Sequence, residues 1–109
     1  MNVTFFDAGQ LTARLDLESA METPDGQGGV TVSHAVESSH WARVEPISAD
    51  YAELGHVERQ GVTHRIWIRH AAGVVAGKRF RKGMRLFDIL TVHDPDETGR
   101  YLVCLTKEA

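Results

Sequence analysis

The chain has 109 residues, of which 42% are apolar and 25% charged, and a formal net charge of −3 at pH 7. This length is typical of one domain with one core, and the composition is that of a globular rather than a disordered protein. The acidic balance disfavours a protein that binds nucleic acid over its whole surface. The longest apolar run, residues 71–76, is far shorter than the roughly 20 residues that span a membrane.

The first residues, MNVTFFDAGQ, contain no basic segment and no cleavage pattern of a secretory signal, so we expect the chain to act in the compartment of its synthesis. Its single cysteine, Cys104, excludes an internal disulfide and suits a reducing cytoplasm. Because Cys104 lies between Val103 and Leu105, we expect a buried and unreactive thiol.

Residues 11–21 predict a β-strand, since five of the six odd positions are apolar and four of the five even positions are polar. Residues 23–29 combine Pro24 and Asp25 with three glycines, which is typical of a turn. The return strand carries Val30, Val32 and Val36 on one face and ends near Pro46, as one bent strand or two short ones.

Residues 48–60 predict a short helix with a narrow apolar stripe, so we expect little burial to hold it in place.

The rest of the chain predicts strands at residues 63–70, 78–81, 84–93 and 100–106. A turn at Lys82 and Gly83 and another at residues 94–99 separate the last three strands. The last two strands are apolar on both faces and should be central. Five or six strands in an antiparallel meander with one inserted loop or helix favour an all-β fold, either a small barrel or a sandwich.

Catalytic and metal-binding patterns are not visible in the sequence. The six histidines, at positions 34, 40, 56, 64, 70 and 93, have none of the spacings of a metal site. No glycine-rich phosphate loop, GxSxG motif or Cys/His pair indicates an enzyme. We therefore expect no catalytic activity, metal or cofactor, and a cleft with convergent histidines would revive an enzyme as a rival interpretation.

Two features suggest contacts with partners. Five basic residues lie around one aromatic residue, and they are Lys78, Arg79, Arg81, Lys82 and Arg85. They could contact phosphate or another protein, or could simply form a solvated hairpin tip. Trp67 lies between Arg65 and Arg69 on a strand face that the alternation predicts to be polar. These three residues are candidates for a subunit interface, since tryptophan and arginine are enriched at interface hot spots, unless the strand faces the other way and Trp67 is a core residue.

Four fragments occur in an order and at distances that resemble the head-tail joining family of tailed bacteriophages, the head closure or stopper proteins. They are GQLTARLDL, WARVEPIS, VTHRIWIRH and GMRLFDILTVHDPDETGRYLVCLTKE, and the resemblance covers about residues 8–109. It implies a single β-barrel domain with an N-terminal arm at residues 1–10 and an insertion at residues 46–62. The departures from the family pattern are Trp67 and the acidic first strand.

The resemblance implies a ring of about six or twelve copies in the neck of a virion or phage-like particle, made in the bacterial cytoplasm. Its partners would be other copies, portal or adaptor proteins, a tail terminator or tail tube protein, and the packaged double-stranded DNA, with no membrane. The insertion would close the DNA channel through Asp50, Tyr51, Glu53, Leu54, His56, Val57, Glu58 and Arg59. An infectious phage and a gene transfer agent fit equally well. The alternative is a small barrel that binds nucleic acid through the basic hairpin at residues 78–85.

Overall fold

The computed structural model describes residues 8–47 and 61–109. A short 3-10 helix, Ala8–Gln10, precedes six strands. These are β1 (Ala13–Pro24), β2 (Val30–Pro46), β3 (His64–Arg69), β4 (Arg79–Lys82), β5 (Arg85–His93) and β6 (Tyr101–Glu108). All neighbouring strands pair antiparallel and the sheet closes into a barrel, which confirms the predicted all-β fold.

The predicted meander is wrong, because the strand order around the barrel is β1-β2-β3-β6-β5-β4. The chain leaves β3 and crosses to β4, which pairs with β1 and closes the barrel. It then returns through β5 to β6, which fills the place beside β3. β5 and β6 each follow their predecessor through a turn and pair with it, so their local order was predictable, whereas the pairing of β3 with β6 joins distant segments.

The core lies inside the barrel, where inward positions alternate along each strand as the period of a β-strand requires. Its fully buried side chains include Phe80, Phe87, Leu15, Leu17, Ile66, Ile68, Thr106 and Cys104. The predicted burial of Cys104 is confirmed, and burial raises the pKa of its thiol to about 12, so the thiol is neutral at physiological pH. Thr106 is satisfied at this depth because its hydroxyl donates to the carbonyl oxygen of His64 at 3.0 Å.

Two turns follow the chemistry that their sequences predict. The Asp25 carboxylate accepts the backbone N–H of Gln27 at 2.7 Å and that of Gly29 at 3.1 Å. The Asp94 carboxylate accepts the backbone N–H groups of Glu97 at 2.8 Å and Gly99 at 2.7 Å. These side chains replace backbone partners in the turns, as aspartate does in Asx turns.

The β4–β5 turn lies one residue later than predicted, at Gly83 and Met84 rather than Lys82 and Gly83. Gly83 has a positive φ of 62°, which glycine adopts without strain. Met84 is 94% exposed at the tip of this turn.

The first two strands are longer than the rest and extend past the barrel. β2 is one continuous strand of 17 residues, and β1 has 12, three of them beyond the predicted end at residue 21. β4 covers β1 only from Asp16 to Glu18, and β3 covers β2 only from Ala42 to Pro46. Residues 19–37 therefore form a two-stranded extension, which we call the distal hairpin.

Candidate functional site

The basic residues predicted to contact a partner or phosphate are largely paired within the molecule. Lys78 Nζ lies 2.8 Å from Glu37 Oε1, and Arg79 Nε lies 2.7 Å from Glu18 Oε1. Arg81 Nη1 is 3.5 Å from the other oxygen of Glu18. These carboxylates offset much of the positive charge that a nucleic acid would need. Lys82 is exposed near the tip.

Glu18 has a structural role in this group, because its side chain is only 4% exposed. It lies on β1 opposite Arg79 on β4, at the seam where the barrel closes. A carboxylate at this depth needs a charged partner, and the two guanidinium groups provide it. The acidic first strand, which departs from the family pattern, thus forms the seam with the basic hairpin.

Arg85 belongs to a second polar cluster on the barrel. Its guanidinium contacts Glu108 at 2.8 Å and lies 4.9 Å from the centroid of the Phe87 ring. His64 Nε2 is 3.8 Å from Glu108 Oε1, and its ring packs edge-on against Phe87. Burial lowers the pKa of His64, with a smaller opposing effect from Glu108, whereas the hydrogen bond from Arg85 lowers the pKa of Glu108.

Trp67 does point outward, as the alternation predicts, but the prediction that its ring is exposed is wrong for the single chain. Its exposed fraction is 7%, because Leu11 and Val103 pack against it together with Tyr101 and Leu105. Its indole N–H donates to Glu45 Oε1 at 3.0 Å. The segment before β1 thus covers an outward face of the sheet, a contact between distant parts of the chain that strand alternation does not reveal.

Arg65 and Arg69, the other two predicted interface residues, differ in their surroundings. Arg65 is half-buried and contacts Glu45 at 3.4 Å, whereas Arg69 is exposed. The structure contains one chain, so an interface role for these residues stays a prediction. The predicted channel-closing residues, positions 50–59, lie outside the described residues.

The distal hairpin carries apolar surface that the sequence reasoning did not identify as a site. Val30, Val32 and Val36 are 55%, 53% and 56% exposed, and Met21 is 52% exposed. The register pairs Val30 with Pro24, Val32 with Glu22 and Val36 with Glu18, so the three valines share one face. Two features of the sequence could have indicated this exposed apolar surface: the predicted first two strands are long, and residues 15–42 contain no lysine or arginine.

A small groove lies on the outer face near the base of this hairpin. Its volume is 270 Å³ and it is lined by Ala8, Leu11, Trp41 and Arg69. Trp41 is 53% exposed, and the Arg14 guanidinium lies over its ring at 5.2 Å from the centroid. We call this site the Trp41 groove, and it combines an accessible aromatic ring with two arginine side chains.

Candidate metal sites and membrane-spanning helices are absent from residues 8–47 and 61–109. Within these ranges, no three His, Cys, Asp or Glu side chains come together in a way that could hold a metal ion. The same part of the chain contains no helix long and apolar enough to cross a membrane.

Comparisons with known proteins bear on the fold and the family. None of the curated proteins matches the chain. The solution structure of protein SF1141 from Shigella flexneri 2a is similar in fold, with a TM-score of 0.74 and 24% identity over 95% of this chain and 97% of that one. A chain from the virion of a native gene transfer agent particle is 30% identical, with a TM-score of 0.58 over 90% of this chain and 94% of that one.

The family model of phage head completion proteins matches residues 6–109, which is nearly the whole chain. The described parts of that range form one closed barrel, and the first two strands of the barrel also form the distal hairpin. The chain therefore belongs to the phage head completion protein family.

Proposed function

We propose that this protein is a head closure, or stopper, component of a virion neck. Several copies form a ring beneath the portal and its adaptor, the ring retains packaged double-stranded DNA, and its far side receives the tail terminator or tail tube protein. The family match over residues 6–109 carries this proposal. The similar chain in a gene transfer agent virion supports it, since that chain is also part of a particle.

The closed barrel suits a structural ring component. Its strands close on themselves, so the barrel wall has no free edge to which a foreign strand could add. Contacts between barrels would therefore use side chains, whereas the distal hairpin pairs only with itself and keeps free edges. Within the described residues, a barrel wall with a projecting hairpin is a shape that can repeat around a channel.

A ring of about six or twelve copies, the number implied by the family resemblance, would form on a template. Each lateral contact of a 109-residue barrel is small, so we expect a monomer or weak oligomer in solution and rings only on the portal and adaptor. Electron microscopy of the purified protein with its neighbouring portal and adaptor proteins tests this proposal. Absence of the protein from the assembled neck would contradict it, and so would a tight ring at low micromolar concentration without partners.

The channel-closing role of residues 50–59 is a separate part of the proposal. Deleting these residues should preserve the barrel and the ring but give particles that lose packaged DNA before the tail attaches. The measurement is nuclease-accessible DNA in purified particles, with the circular dichroism spectrum and ring assembly of the deletion variant as controls. Full DNA retention by the deletion variant would remove this segment from channel closure.

A further inference from the structure

The distal hairpin and the Trp41 groove have complementary chemistry. Beyond Glu18 the hairpin is exposed except at Ser19 and Ala35. The exposed valine face also carries His34, between Val32 and Val36, and Glu22, which lies directly opposite Val32 in the register. Val30, Val32 and Pro24 are contiguous on this face beside the Glu22 carboxylate. This is an unusual surface for a monomer, because single exposed apolar residues are common but contiguous ones mark interaction sites.

The charge of the hairpin restricts the partner. The distal hairpin, residues 19–37, contains Glu22, Asp25 and Glu37 and no lysine or arginine, and of these carboxylates Glu37 is paired with Lys78. Such a surface repels DNA, RNA and anionic lipids, so the partner is a protein surface that is apolar and basic. The Trp41 groove has this composition, since Arg69 lines it and Arg14 lies against the Trp41 ring.

One copy cannot satisfy this match by itself. Val32 and Trp41 lie on the same strand, nine residues apart, which corresponds to about 30 Å at the rise of a β-strand. A ladder of pairs keeps the two strands extended side by side, from Pro24 and Val30 to Ala13 and Ala42, with one irregularity at Leu17 and Glu18. The valine stripe of one chain therefore reaches a Trp41 groove only on another copy.

We propose that the distal hairpin of one copy docks into the Trp41 groove of the next copy, with Val32 against the Trp41 ring and Glu22 beside Arg69. The two surfaces are different, so the contact is head-to-tail and repeats until a ring closes. A central tryptophan flanked by arginine is typical of an interface hot spot. This contact rests on the proposed function, because it explains how barrels without free edges join into that ring.

Engineered disulfides test the contact directly. Val32 lies directly opposite Glu22, and Arg69 lines the groove together with Trp41, so docking brings Val32 close to Arg69. A mixture of the single variants Val32→Cys and Arg69→Cys should therefore form a disulfide-linked dimer under mild oxidation, and a chain that carries both substitutions should give a series of larger oligomers. Cys104 can stay in place, because it is fully buried and its pKa is raised to about 12. The matched control is Val75→Cys, which replaces a valine that is 50% exposed but lies outside the hairpin.

The result that overturns the proposal is cross-linking of Val32→Cys to Arg69→Cys at only the level of the Val75→Cys control. Preferential dimers of Val32→Cys with itself would show that hairpins pair with hairpins, and bonding of Val32→Cys to a portal, adaptor or tail protein in particles would assign the stripe to that partner. Efficient cross-linking only after removal of residues 1–7 would show that this segment fills the groove. Each of these outcomes contradicts docking between neighbouring copies.

Charge reversal provides a second test on the full chain. Glu22→Arg and Arg69→Glu should each weaken assembly on the portal and adaptor by about tenfold, and combining the two changes should restore it. Additive losses in the double variant would contradict a direct Glu22–Arg69 contact. If both single variants assemble normally and wild-type rings are present, the docking contact is wrong while the proposed function stands. If the wild type itself forms no ring, the proposed function fails.

Discussion

The barrel and the distal hairpin use the same alternating pattern of apolar residues for opposite purposes. In the barrel half of β1, Leu15 and Leu17 are at most 1% exposed, because β4 and the other strands enclose them. In the hairpin half of β2, Val30 and Val32 are more than half exposed. The difference lies in what covers the strands, since β3 and β4 reach only the base of the hairpin. Apolar alternation therefore indicates a strand, while its neighbours decide whether the face is core or interface.

The largest expected effect is a loss of core packing in the barrel. Phe80→Ala should lower the free energy of unfolding by about 3–5 kcal/mol, because the ring is fully buried and the cavity collapses only in part. Urea denaturation measures this change. The control is Met84→Ala in the adjoining turn, where the side chain is 94% exposed and we expect a change within about 0.5 kcal/mol. A loss below about 1 kcal/mol for Phe80→Ala would contradict the closed core.

The two tryptophans form a matched pair. Trp67→Ala should cost about 3 kcal/mol of unfolding free energy, since its ring packs on Leu11 and Val103, whereas exposure of Trp67 would have left stability nearly unchanged. Trp41→Ala should cost less than about 1 kcal/mol, because that ring is 53% exposed. Thermal or urea unfolding of the isolated chain measures both. Equal costs would show that the Trp41 groove is part of the structural core.

The seam of the barrel gives an intermediate effect. Glu18→Gln should cost about 2 kcal/mol, since Arg79 loses the carboxylate that balances it. This loss of unfolding free energy is smaller than that expected for a fully buried ion pair, because Arg81, the second partner of Glu18, is 48% exposed. Glu22→Gln, four residues further along the same face, lies beyond the barrel and should change stability by less than about 0.5 kcal/mol. Equal effects of the two substitutions would contradict the boundary between barrel and hairpin.

As the pH falls below 7, the barrel should first lose stability through protonation of two partly buried histidines. Burial lowers the pKa of His64 and of His40 from 6.5, so the folded state binds protons less readily than the unfolded state. Their contribution to stability is complete above pH 6.5 and is lost as the pH falls through the lowered pKa values. Urea denaturation between pH 7.5 and pH 5, with His64→Gln as comparison, measures the effect. An unchanged pH slope in His64→Gln would contradict it.

The smallest effect should come from the valine stripe. Changing Val30 and Val32 together to threonine should alter the stability of the isolated chain by less than about 0.5 kcal/mol, since both side chains are exposed and threonine also favours strands. The same variant should assemble poorly on its template. A large loss of stability would show that the hairpin packs within its own chain.

The sequence by itself determined most of the local structure. Alternation identified the strands, and glycine, proline and aspartate identified the turns, because these depend on side-chain period and backbone freedom within a few residues. It also predicted the burial of Cys104 and, through four fragments in order, the family. The turn at Gly83 shows the precision of such predictions, since it was placed one residue too early.

Only the tertiary structure decided which segments meet. The pairing of β3 with β6, the cover of Leu11 over Trp67 and the seam between Glu18 and Arg79 join residues that are 32 or more positions apart. No local pattern specifies such contacts, because the same alternating strand can face a core, a neighbouring segment or solvent. Strand length and the lack of lysine and arginine were the only sequence features that pointed to the exposed stripe on the distal hairpin. Its alternation is that of a half-buried strand, and the short reach of β3 and β4 is what leaves it uncovered.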